Sequence, residues 1–168
     1  MHPLPHTDHS STIRKLAPLL ALLLTLLQPP AVRAVEQPTL SGFARSTLEI
    51  RSQGGRHWLK IWLAQSNEQQ MQGLMFVREL PADEGMLFPL ETPRIMTMWM
   101  KNTLIPLDML FIDSHGRIVC LLADAKPESL ELLSCDKPVK AVLEIGGGEA
   151  QRRGIRVGDT VVHATFHK

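Results

Sequence analysis

"TLEIRSQGGRHWLKIWLA", Thr47 to Ala64, is the stretch whose reading decides the fold. Leu48 and Ile50 alternate with polar residues, Gln53 to Gly55 is a turn, and Leu59, Ile61 and Leu63 then alternate with Trp58, Lys60 and Trp62. A period of two places alternate side chains on opposite faces, and two such runs joined by a Gly-Gly turn predict a β-hairpin with one buried face.

The same pattern recurs downstream. "LDMLFID" and "RIVCLLA" predict a second hairpin, Leu107 to Ala123, turning at Ser114 to Gly116. Met86-Leu87-Phe88, "IMTMWM", "VKAVLEI" and "TVVHATF" read as further strands, the last of them after a Gly158-Asp159 turn. Ser66 followed by Gln69 fits a capping box, with Gly73 placed to end a short helix. "GGGEAQRRG" predicts a second short helix, ended by Gly154. At least seven strands, two short helices and no long strand–helix–strand alternation predict a mainly β (α+β) fold. The expected form is a compact antiparallel β-sandwich or a partly closed barrel.

The 168 residues are expected to divide into a leader (1–34), an N-terminal tether (35–46) and one β-rich domain (47–168). Arg14 and Lys15 precede an apolar run from Leu16 to Leu27, and small residues follow, up to Ala34. That is the pattern of a secretory signal peptide cleaved near Ala34, and the run is too short for a membrane span of about 20 residues. An uncleaved anchor is the competing reading. The expected location is periplasmic or secreted, with no membrane span after cleavage. Without residues 1–34, Lys+Arg falls from 18 to 15 and Asp+Glu from 17 to 16, a net charge near −1. Such a balance does not predict a basic phosphate-binding face, so nucleic acid is not an expected partner. Cys120 and Cys135 form an even pair, and in an oxidising compartment a disulfide between them is expected. Free thiols or a redox pair are the alternatives.

Several phrases occur in order: "GLMFVRELPADEGMLF", "WMKNTLIPLDMLFID", "GRIV", "AVLEIGGG" and "GIRVGD". Together, over Leu48 to Phe166, they resemble the family known as domain of unknown function 192. The resemblance implies a β-rich single domain, often exported in bacteria, and implies no activity and no catalytic residues. The family phrase covers Trp99, Met100, Lys101, Asn102, Thr103, Pro106, Leu107 and Asp108, and leaves Met96 and Met98 outside it. The three glycines Gly146 to Gly148 depart from its usual single glycine.

Seven of the eight methionines lie between Met71 and Met109. Thioethers select Cu(I), so Met96, Met98 and Met100 are an alternative metal site that would need help from His57 or His163. Methionine is also a filler of irregular cores, which is the plainer reading. Trp99, Met100, Lys101, Asn102 and Asp108, with Arg78 nearby, are the candidate ligand-binding residues: an apolar wall, a cation, an amide and a carboxylate around one strand end. The competing reading is turn architecture, with Asn and Thr bonding their own backbone and Lys101 paired with Asp108. No nucleophile elbow, zinc helix or phosphate loop is present. Paired carboxylates drawn from Asp83, Glu84 and Asp108 leave an envelope hydrolase open. The function expected is a non-catalytic module of the cell envelope that binds a small ligand or an envelope protein, with no catalytic residues and no cofactor.

Overall fold

The alternation that opens the domain builds a long antiparallel hairpin. In the computed structural model, which describes residues 40–166, β1 (Ala44–Ser52) pairs with β2 (Gly55–Leu63) from Ala44↔Leu63 to Ser52↔Gly55. Leu48, Ile50, Leu59 and Ile61 are fully buried and Trp58 is exposed, as the period of two requires. The expected leader lies outside the described residues. Within the stretch expected as a tether, Phe43 is buried and β1 runs from Ala44.

The first helix, α1 (Asn67–Gln72), forms where the capping box placed it. The Ser66 hydroxyl accepts from the Gln69 amide at 3.2 Å, and the Gln69 side chain accepts from the Ser66 amide at 3.0 Å. Gly73, at φ 47°, ends the helix in a conformation that a Cβ disfavours. Because six residues cannot sustain a helix by propensity, Ser66→Ala is expected to lower domain stability by about 1 kcal/mol, measurable as a shifted urea midpoint.

Beyond α1 come β3 (Glu84–Arg94), β4 (Thr97–Met98), β5 (Leu107–Ile112), β6 (Ile118–Ala125), β7 (Leu133–Ser134) and β8 (Val139–Gly146). The second helix, α2 (Glu149–Arg153), and β9 (Thr160–Val162) complete the series, with 3-10 turns at Leu40–Gly42 and Ala164–Phe166. Seven strands form one sheet in the order β6-β5-β8-β3-β2-β1-β9, and β4 pairs with β7 in a small second sheet. One pair departs from the antiparallel expectation. β2 and β3 run parallel, because the chain between Leu63 and Glu84, with α1 inside it, is long enough for the crossover that a parallel pair needs.

The large sheet curls until its two ends meet. Ile118 donates to the Asp159 carbonyl at 2.9 Å, Val161 to Gly116 at 2.7 Å and Gly158 to Ile118 at 2.8 Å. Of the two architectures expected, this is the partly closed barrel, and the stitching covers edge groups that would otherwise remain unpaired. One core fills the inside of the curl: it joins Ile118 and Val161 from the two ends to Leu87 and Leu143 from the middle. A second core lies on the opposite face of β3, β5 and β8, with Met86, Phe88, Met109, Phe111 and Val142. Leu74 and Val77 after α1, with Met98, Met100 and Cys135 from the small sheet and its flanks, pack over it.

Two expected strands are shorter than predicted. "IMTMWM" contributes only Thr97 and Met98 to pairing, because β7 offers a two-residue partner. In "TVVHATF" the strand stops at Val162, where His163 Nδ1 accepts from the Thr165 amide at 3.2 Å and turns the chain into a 3-10 turn.

Candidate functional site

Strand β8 is buried on both faces, so each of its side chains must match a core. Ala141, Leu143 and Ile145 point into the curl, and Val142 enters the second core. Glu144 shares the face of Val142. Its register partners are Met86 on β3 and Met109 on β5, so the carboxyl lies in the middle of the sheet between two thioether side chains. It is 4% exposed. Among the described residues no protein group hydrogen-bonds or ion-pairs with it, yet no fully buried polar side-chain atom is left unsatisfied, so its oxygens reach the cleft. Burial pushes its pKa up to about 8.

The face of β8 that carries Glu144 opens on a narrow cleft. Gln70 to Met75 form one wall, Met98, Trp99, Lys101 and Thr103 the other, and Phe88 and Glu144 the floor. The cavity measures about 20 Å³, room for one water-sized group. Local backbone chemistry pins both walls. Asn102 sits at φ 56°, a conformation Asn tolerates better than other side-chain-bearing residues. Its carbonyl accepts from the Phe76 amide at 2.8 Å, and its side-chain amide approaches the Met75 sulfur at 3.8 Å. From the other side, Met100 donates to the Ser129 carbonyl at 3.1 Å and Glu128 to Thr103 at 3.0 Å. Asn102 therefore positions a wall, and Met100, fully buried, anchors it.

The expected site residues separate into groups. Trp99, 42% exposed, and Lys101 line the cleft together, with the Lys101 ammonium 5.1 Å from the centre of the Trp99 ring. Asp108 is elsewhere. It is fully buried, and its carboxylate accepts from the amides of Asp124 (2.8 Å), Gly148 (3.0 Å) and Ala150 (2.8 Å). Asp108 thus caps α2, whose N-cap residue Gly148 has no side chain with which to do so. The glycine run serves the same brace: a Cβ on Gly147 would lie 2.7 Å from Pro106, and Gly148 has φ 79°. Arg78 is exposed and is not among the cleft's lining residues.

Two alternatives from the sequence lose their geometry. Asp83 pairs with Lys60 at 2.9 Å, Glu84 pairs with Arg45 at 2.9 Å, and Asp108 is held by backbone amides, so these three carboxylates do not converge on one cleft. The paired-carboxylate arrangement is not formed. Met98 and Met100 are buried in the second core and Met96 packs against it. His57 and His163, the expected helpers, hydrogen-bond instead to Ser52 at 3.2 Å and Ser46 at 3.0 Å on β1. The sulfurs act as filler. Cys120 and Cys135 are free thiols, so the expected disulfide is not formed in this structure. The two are nevertheless in contact: burial, then a hydrogen bond with Cys135, push the Cys120 thiol up to about 11.

Sequence reasoning missed Glu144. The signal was present as an acidic residue inside the apolar run "AVLEI", on a strand too central to offer it solvent.

Fold and site together define a class: a curled, partly closed β domain carrying a small cleft over an unpaired buried carboxyl. The chain belongs to the DUF192 family, described as "Uncharacterized ACR", whose model matches residues 48–163. Among solved structures it is similar to a protein of unknown function from Novosphingobium aromaticivorans DSM 12444. That likeness has 40% identity over 74% of this chain and 89% of that one, with a TM-score of 0.72. It is also similar to a protein from Sinorhizobium meliloti 1021 described as a "putative transcription regulator". Here identity is 39% over 73% of this chain and 96% of that one, with a TM-score of 0.71. No curated protein matches the chain.

Proposed function

We propose that this protein is an exported, non-catalytic binding module of the cell envelope, and that its ligand site is the cleft over Glu144. The observation that carries the reading is a buried carboxyl without a partner at the floor of an open cleft. Its oxygens reach the cleft rather than being sealed off, and perturbed titratable groups in clefts concentrate at functional sites. Trp99 and Lys101 supply the apolar wall and the cation expected of a small-ligand site. The cleft holds one acid and no nucleophile hydrogen-bonded to a base, which favours binding over chemistry. The near-neutral charge balance does not supply the phosphate-binding face that a DNA-binding role would need.

The test is a chemically diverse fragment set, followed through the methyl signals of ¹³C-labelled methionines. A fragment that shifts Met75 and Met98, and ceases to do so in Trp99→Ala, supports the site. If no fragment moves either signal, the reading fails.

Export is the second part of the proposal, supported by the Arg14–Ala34 pattern. The protein recovered from the periplasm is expected to begin near Val35, as read by its intact mass. In that compartment we expect Cys120 and Cys135, already in contact, to oxidise to a disulfide. The loop closed is about 15 residues, which contributes about 3 kcal/mol in the chain-entropy model. Thiol blocking under denaturing conditions should then leave the mass unchanged, and two labelled cysteines would refute the bond.

A further inference from the structure

We propose that the cleft takes the ammonium head of a primary amine, with Glu144 as its counter-ion. The inference rests on the binding reading above and names the ligand class for that site.

Geometry sets the size of the group. The cavity admits something as large as a water molecule, and an ammonium is that size, whereas a guanidinium or an aromatic ring is not. Chemistry sets its character. Once ionised, the carboxyl offers only acceptors, and the surrounding protein brings it no donor, so a ligand that brings N–H groups would complete it. A divalent hard cation needs six or more oxygens, and one carboxylate supplies two.

The groups around Glu144 agree. Met86 and Met109 flank it from β3 and β5 in the sheet register, and Leu74, Met75, Met98 and Phe88 give the cleft an apolar lining along which a methylene stem could leave toward the rim. Among the described lining residues Lys101 is the other charged group, and its ammonium sits over the Trp99 ring rather than on Glu144. Met71 and Trp99 stand exposed at the rim, where the rest of a ligand would emerge. A free alkylamine and a peptide lysine share the head group, so the assay must separate them.

Binding of a cation requires the ionised carboxylate, and burial holds Glu144 protonated well above the usual carboxylate range. Complex formation therefore releases a proton, and affinity should rise about tenfold per pH unit between about pH 6 and pH 8, then level off. The experiment is calorimetry on the whole mature protein with n-butylamine at about 10 mM, repeated in buffers of different ionisation enthalpy. n-Butanol serves as the neutral isostere, and Nα-acetyl-lysine methylamide as the peptide arm.

Butylamine is expected to bind with proton release and the stated pH slope. n-Butanol should bind more weakly and without that slope, and Glu144→Gln should lose most of the amine affinity. Binding of the lysine derivative would assign a protein source, and its failure beside butylamine a free amine. Equal binding of amine and alcohol, an unchanged affinity in Glu144→Gln, or no amine binding would each overturn the proposal. The wild-type pH slope tests it even where the variant folds poorly. If other fragments occupy the cleft and butylamine does not, the amine assignment falls and the binding module stands.

Discussion

Asp108→Ala is expected to cost this domain about 4 kcal/mol, a large share of the roughly 5–15 kcal/mol typical of folded domains. The carboxylate is fully buried and accepts from three backbone amides, of Asp124, Gly148 and Ala150. Hydrogen bonds to a charged acceptor contribute about 1.5–3 kcal/mol each, and their removal leaves the buried Ala150 N–H without a replacement, while the Asp124 and Gly148 amides lie nearer to solvent. The glycine N-cap of this five-residue helix makes no side-chain capping bond of its own. Asp108→Asn keeps one acceptor but turns an NH₂ toward an amide, so it should cost about half as much. The urea midpoint should fall with an unchanged slope, while the Met75 and Met98 methyl signals stay in place because the cleft is built from other segments. A wild-type midpoint in Asp108→Ala would refute the brace.

The second large effect is a pH dependence of stability carried by Glu144. Its folded pKa, about 8, lies above the ordinary 4.5. The unfolded chain therefore ionises first, and the favourable contribution of the protonated side chain is present in full below about 4.5. It is lost as pH rises toward 8. The gap between 4.5 and about 8, at about 1.4 kcal/mol per pH unit, bounds the loss at about 5 kcal/mol. Glu144→Gln should flatten the profile across that window. Glu49 acts with the opposite sign and elsewhere on the scale. Arg56, then Arg51, hold it down to about 2, so its contribution is lost only as pH falls below about 4.5. Denaturant titrations between about pH 5 and pH 8 would isolate Glu144, and parallel wild-type and Glu144→Gln profiles would refute its burial as an acid.

Much of the architecture was legible because it rests on local rules. Alternation at Leu48, Ile50, Leu59 and Ile61 specified a hairpin, and Ser66, Gln69 and Gly73 specified a helix and both of its ends. The parallel β2–β3 pair was not legible, because nothing local distinguishes a crossover from a loop that returns antiparallel. The site was half legible. Trp99 and Lys101 were singled out together and do share a cleft, whereas Asp108, suspected alongside them, serves the α2 brace.

Glu144 and Asp108 show where the boundary falls. Sequence by itself determined that this chain forms short alternating strands around an apolar interior, with its capped helix in place, because period, capping and turn preference act over a few residues. It also determined that both carboxylates lie on strands. Only the tertiary structure decided their roles. Burial and partnership depend on which strands become neighbours: β8 placed centrally leaves Glu144 between Met86 and Met109 with no protein donor, while β6 beside β5 gives Asp108 one amide and α2 folded back over the end of β5 gives it two. Solvation and hydrogen bonding, rather than residue type, make one a brace and the other a candidate site.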